Sequence, residues 1–169
     1  MSADRPDARS QARPGDTMLC KLTLRGETHV TAAPSIQRLD HWTLVTTDVD
    51  RTQRFYADVL GATVPRRGGG PASVNLAGTV IDFFPADQDQ PPSPGSWGQH
   101  HAYIIDLDDY DGWVEHLGRA GVPFERTTHS WRRMSIYVDD PDGYHIELTV
   151  PFDDEALARR EIEKRGLSM

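Results

Sequence analysis

Two stretches of this sequence each open on a histidine and close on a carboxylate. The first runs His41-Trp-Thr-Leu-Val-Thr-Thr-Asp48, passes Gly61 and ends Val80-Ile81-Asp82-Phe83. The second runs His100-His-Ala-Tyr-Ile-Ile-Asp106, passes Gly121 and ends His145-Ile146-Glu147-Leu148. His41 precedes its glycine by 20 residues and His100 by 21. A repeat of this length fixes the architecture, and here it sets His41, Asp82, His100 and Glu147 at related positions. Neutral imidazole nitrogens and carboxylate oxygens on one face suit iron(II), manganese, nickel or zinc, with positions left open for substrate. The chemistry indicated is metal-assisted, and the protein is read as an enzyme.

His100 and His101 compete for the second imidazole. Counting back from Gly121 favours His101, whereas the His-x-Ala-aromatic pattern favours His100; His100 is taken as the ligand. Asp82 is the repeat counterpart of Glu147 and a possible fourth ligand, one methylene shorter. Asp140 and Asp142 lie in an Asp-Pro-Asp-Gly turn and are expected to serve that turn alone. His29 and His116 are expected to be solvated.

The elements that must position these residues follow from periodicity. Leu39–Thr47 is dense in β-branched and aromatic residues and reads as a strand. Asp48 or Asp50 can cap a helix running to Leu60, with Phe55, Tyr56, Val59 and Leu60 as its apolar stripe and Gly61 as a left-handed stop. Short strands are expected near Ala62–Val64, Ala72–Leu76 and Thr79–Phe84. Asp87–Gly98, with its prolines and glycines, reads as a linker. The second half repeats the order: a strand at His100–Leu107, then a helix whose stripe is Tyr110, Trp113, Val114 and Leu117, ending at Gly121. Strands follow at Val122–Arg126, Met134–Val138 and Tyr144–Val150, then a helix Asp153–Arg165 opened by Asp153 and closed by Gly166. The fold class is α+β: two βαβββ repeats forming a curved mixed sheet around a metal cleft, with a C-terminal helix.

Residues 1–36 read as a flexible N-terminal tail, rich in Pro, Asp, Arg and Ser at its start, with Met18–Val30 a weak candidate for an edge strand. Residues 37–150 form the main domain, with repeats at about 37–86 and 98–150, and 151–169 the C-terminal helix. The formal net charge of -8 disfavours nucleic acid as a partner. Cys20 is the single cysteine, so no internal disulfide or cysteine zinc site can form, which fits a cytoplasmic location. No segment approaches the length of an apolar membrane span, and Met1–Pro14 lacks the apolar run of a signal peptide.

Four motifs carry a family resemblance: His41-Trp-Thr-Leu-Val-Thr-Thr-Asp48, Phe55-Tyr56-x-x-Val-Leu-Gly61, His100-x-Ala-Tyr, and Asp140-Pro-Asp-Gly-Tyr-His-Ile-Glu-Leu148. Together, over about Arg38–Val150, they resemble the vicinal oxygen chelate superfamily. That group includes glyoxalase I, fosfomycin-modifying thiol transferases, methylmalonyl-CoA epimerases, extradiol dioxygenases and metal-free bleomycin-binding proteins. The resemblance implies metal ligation by His41, His100 and Glu147, joined by Asp82 in four-ligand branches, where glutamate or glutamine is usual. It also implies homodimers, in some branches with the cleft shared between chains.

His129-Ser-x-x-Arg-Met134-Ser-Ile-Tyr137 resembles the extradiol segment in which a histidine and a tyrosine line the catechol site. Tyr137 stands ten residues before Glu147, the spacing of that branch, although a tyrosine at this place also occurs in the fosfomycin branch. The implied activity is an iron(II) extradiol-type dioxygenase acting on a small catechol-like substrate. Tyr137 would bond a substrate oxygen, and His129 or His145 would move protons. The alternatives are a glyoxalase- or epimerase-type lyase or isomerase, and a metal-free protein that binds small drug-like molecules.

Overall fold

A computed structural model describes residues 35–65, 70–96 and 98–169 of the chain. The chain divides into two units, Met1–Ile36 and Gln37–Met169, and the second carries all the elements below. The expected tail, the edge strand at Met18–Val30, Cys20 and His29 lie outside the described residues.

The first repeat contains β1 (His41–Thr46), α1 (Val49–Asp58), β2 (Ala72–Leu76) and β3 (Thr79–Pro85). Strand β3 lies between the others, parallel to β1 and antiparallel to β2. The strand expected at Ala62–Val64 is reduced to one bridge, Thr63 to Asn75. The second repeat contains β4 (His100–Ile104), a 3-10 turn (Leu107–Asp109), α2 (Tyr110–Ala120), β5 (Phe124–Thr128), β6 (Arg133–Asp139) and β7 (His145–Pro151). Its strand order is β4-β7-β6-β5, with β4 parallel to β7 and the other pairs antiparallel. Each repeat therefore builds one mixed sheet, and the chain closes on α3 (Glu155–Lys164).

Local chemistry explains the boundaries. The Asp48 carboxylate accepts from the Arg51 amide and caps α1, and Gly61 follows at φ +72°, a left-handed geometry that costs a side-chain-bearing residue energy. Gly121, at φ +68°, ends α2 in the same way. Helix α3 is capped by Asp154, whose carboxylate accepts from the Ala156 and Leu157 amides, not by Asp153. That places the orphan donors one residue further on than the apolar pattern suggested.

One face of each sheet packs on its helix. Leu44, Ile81, Phe83 and Val74 bury against Tyr56 in the first repeat, and Ile136, Val138, Ile146 and Leu148 join Tyr110 and Leu117 in the second, within one continuous core. Helix α3 adds Ala158 and Ile162 to that core. Arg165 at its end binds Asp111 at 2.8 Å and lies over the Tyr110 ring. The helix thus packs on its own chain. Among the described residues no helix is long and apolar enough to cross a membrane.

The repeats meet at the β1 and β4 edges, where the Trp42 and His101 rings stack with centroids 3.6 Å apart. Asp142 makes a second joint. It accepts from the Thr46 hydroxyl at 2.5 Å, the Thr47 hydroxyl at 2.5 Å and the Thr47 amide at 3.2 Å, with Arg51 at 3.3 Å. Asp142 was expected to serve only its turn; in fact its buried carboxylate clamps the first repeat to the second. Asp140 does serve the turn, accepting from the Asp142 and Tyr144 amides. His116, expected in solvent, hydrogen-bonds the Val59 carbonyl at 2.9 Å and ties α2 to the end of α1.

Candidate metal and substrate site

The strand pairing sets the candidate residues in rows. Because β4 and β7 are parallel in register His100 to His145 and Ala102 to Glu147, these four share the sheet face away from α2. Antiparallel pairing of β6 with β7 adds Asp139 opposite His145, Tyr137 opposite Glu147 and Ser135 opposite Thr149. The hairpin that fixes this register is closed by the Asp-Pro-Asp-Gly turn.

Glu147 is the centre of the arrangement, and it is only 3% exposed. A buried carboxylate needs partners. His100 Nε2 lies 2.9 Å from Oε2, and the Ser135 hydroxyl donates to Oε1 at 2.6 Å. Ser135 is itself 3.0 Å from the Thr149 hydroxyl. His129 Nε2 approaches Oε1 to 3.8 Å and lies 3.0 Å from the Tyr137 hydroxyl. Burial and the neighbouring Glu147 charge push the Tyr137 hydroxyl up to about 12, so it stays protonated at neutral pH and able to donate.

The other candidates are placed as follows. His145 Nδ1 is 2.6 Å from Asp139 at the end of the same face. His101 points to the opposite face, stacked on Trp42, and burial, then the His100 charge, favours its neutral form. His41 is on the first sheet, with Nδ1 3.1 Å from Asp40 and its side chain 53% exposed. Asp82 shares that sheet face, opposite Thr43.

An open groove of about 650 Å³ runs between the repeats, bordered by His41, Trp42, His100, His101, Tyr144 and His145. Glu147, Tyr137 and His129 do not line it. Among the described residues no three of His, Cys, Asp and Glu come close enough together to hold an ion. The structure thus brings His100 and Glu147 together, with Tyr137 and His129 beside them, and leaves His41 and Asp82 apart.

The two donors that do meet fit a divalent ion. The imidazole Nε2 and one oxygen of the buried carboxylate lie 2.9 Å apart, and the other carboxylate oxygen is fixed by a hydroxyl, the outer-shell support such sites use. His41 fits as a further donor, because a carboxylate on Nδ1 orients the ring and frees Nε2 for an ion. Ser135 is a residue of this cluster that sequence reading missed. Its signal was there: counting back through the hairpin turn places Ser135 on the face of Glu147.

With fold and site in view, comparison with known proteins settles the class. The glyoxalase/bleomycin resistance protein/dioxygenase superfamily pattern matches residues 38–148, and the chain belongs to that family. Among similar proteins, virulence protein STM3117 of Salmonella typhimurium is 31% identical over 139 residues, covering 75% of this chain and 93% of that one. Its crystal structure superposes with a TM-score of 0.55 at 28% identity, over 70% of this chain and all of that one. Glutathione transferase FosA of Serratia marcescens is 28% identical over 117 residues, covering 68% of this chain and 82% of that protein. A glyoxalase/dioxygenase from Nostoc punctiforme shares the fold, with a TM-score of 0.61 at 21% identity, over 76% of this chain and all of that one.

Proposed function

We propose that the protein is a divalent-metal-dependent enzyme acting on a small molecule with two neighbouring oxygens, working as a homodimer in which each site is shared. His100 and Glu147 of one chain supply two ligands, and His41 of a second copy supplies the third. The observation that carries this reading is the 2.9 Å contact between His100 and the buried Glu147, which no third donor joins among the described residues. Iron(II) is the favoured ion; manganese, nickel or zinc would suit the same donors.

An ion bound there would act as a Lewis acid and template for the substrate oxygens. The chain's own groups do the rest. The Tyr137 hydroxyl donates to a substrate oxygen, and its high affinity for its proton keeps it a donor. His129 Nε2, 3.0 Å from that hydroxyl, accepts or returns a proton at the substrate. Ser135 and Thr149 hold the Glu147 carboxylate in one orientation. This Tyr–His pair beside the candidate ligands suits an extradiol-type dioxygenase acting on a catechol-like compound.

A second reading is thiol transfer to a metal-held substrate, favoured by the similarity to a glutathione transferase. Oxygen uptake with catechols separates the two readings.

Mixed chains test the shared site. The His41→Ala and Glu147→Ala proteins should each bind little metal. Co-refolded in equal amounts, half of the dimers pair one chain of each kind, and each such dimer keeps one intact site, so metal content should recover to about a quarter of the wild-type value. No recovery, with dimers confirmed by mass, would place all ligands within one chain.

A further inference from the structure

We propose that Arg133 is the anion-binding residue of this site, and that the substrate is a small chelating molecule carrying a carboxylate on the side away from its chelating oxygens. The inference rests on the proposed function and names its substrate class.

Strand β6 alternates, so Arg133, Ser135, Tyr137 and Asp139 share the face that carries Glu147. Two residues along a strand span about 7 Å. Arg133 therefore starts about 7 Å beyond Ser135, whose hydroxyl touches Glu147, and its long side chain can turn back over that distance. A compact molecule chelated beside Glu147 would present its far end to the guanidinium.

The cation is exposed and makes no ion pair among the described residues. Other arginines of the chain are engaged. Arg132 lies over the Trp131 ring at 4.7 Å, and Arg51, Arg159 and Arg165 are each held by carboxylates. Yet the backbone under Arg133 is pinned. Its carbonyl accepts from the His129 amide at 3.0 Å, and the Arg132 carbonyl accepts from the Phe152 amide at 2.9 Å. The turn between them holds Ser130 at φ +55°, a conformation that side-chain-bearing residues adopt at a cost. A turn pinned by backbone hydrogen bonds thus presents, at the end of the site, a guanidinium with no ion pair among the described residues.

Charge on this face is divided. Glu125 stands opposite Tyr137, and Asp139 is paired with His145; Arg133 is at the other end. The Arg133 charge is also felt at the Tyr137 hydroxyl, where it opposes the effect of burial. A carboxylate entering the site is repelled from the Glu125 end and drawn to Arg133, whose planar fork matches it in two hydrogen bonds.

The test uses the full chain loaded with cobalt(II), without oxygen, and two probes of nearly equal shape: 3,4-dihydroxybenzoate and its methyl ester. Dissociation constants come from the cobalt absorption change. Wild type should bind the acid about tenfold or more tighter than the ester, the scale of a hydrogen bond to a charged group. Arg133→Met should erase that preference while leaving cobalt content and ester affinity unchanged, and Arg133→Lys should restore part of it. Equal affinities in wild type, or a preference that survives Arg133→Met, overturns the assignment of Arg133 alone. Failure of cobalt-loaded wild type to bind either probe overturns the chelating-site reading, and this inference with it.

Discussion

The two repeats share a register and differ in what they do with it. In the first, His41 pairs with Val80, and Asp82 lies two residues along β3. In the second, His100 pairs with His145, and Glu147 lies two residues along β7. Tyr137 stands opposite Glu147; Ser73 stands opposite Asp82. The second repeat buries its acid and supplies it with an imidazole and a hydroxyl, while the first leaves a shorter acid half-buried and turns its histidine toward Asp40. A carboxylate is taken out of water only where such partners await it, so the extra methylene of Glu147 and the hydroxyl of Ser135 separate an acid site from a duplicate of its scaffold.

The sharpest way to break this comparison is to delete the two acids in turn. Glu147→Ala should lower metal affinity by about a hundredfold or more, beyond the range seen when only outer-shell groups are lost. Asp82→Ala should leave it nearly unchanged. Metal content after dialysis, measured by mass spectrometry, decides. Parallel losses in both variants would make the repeats equal partners in a four-ligand site and favour lyase or isomerase chemistry.

A smaller effect is expected at the position opposite each acid, where the second repeat has a tyrosine and the first a serine. Tyr137→Phe should retain its metal and lose about tenfold to a thousandfold in turnover, as for one hydrogen-bond or proton-transfer group at a reacting atom. Because the hydroxyl titrates at about 12, the wild-type rate should show no limb from Tyr137 between about pH 7 and 10. Loss of metal from the Phe variant would turn Tyr137 into a structural prop of Glu147.

Much of this was legible in the chain. The helix stripes, the Asp48 cap and the closing glycines follow from local chemistry, and the repeat set His100 and Glu147 on strands that the structure pairs. What was not legible depended on pairing between distant segments. Ala62–Val64 looks like a strand, but only Thr63 finds a partner. His116 reads as a surface residue of α2 until the end of α1 is laid beside it. That no third donor joins His100 and Glu147 among the described residues is a property of how the strands sit together, which no spacing encodes. Asp142 reads as a turn residue because nothing in Asp-Pro-Asp-Gly reveals three threonine and arginine partners about 90 residues earlier.

That turn supplies the smallest and most discriminating comparison, between two acids two residues apart. Burial opposes ionisation of Asp142, but the Thr46 and Thr47 hydroxyls, the Thr47 amide and Arg51 outweigh it and hold the carboxyl below its usual range. A depressed folded value means stability that is fully present above the unfolded carboxylate range and lost as pH falls through the folded value. Asp140 is the reverse: burial raises it, against the Tyr144 and Asp142 amides. Its ionised form costs stability above the unfolded range, and that cost disappears in acid. Asp142→Asn should therefore lose about 2 kcal/mol in urea unfolding near pH 7, since hydrogen bonds to a charge are broken and an amide nitrogen must face donors, and its deficit should shrink below about pH 4. Asp140→Asn keeps an oxygen for both amides and removes the buried charge, so it should stay within about 1 kcal/mol of wild type at either pH. Equal losses in the two variants would mean that Asp142 serves only its own turn and that the repeats are joined by packing alone.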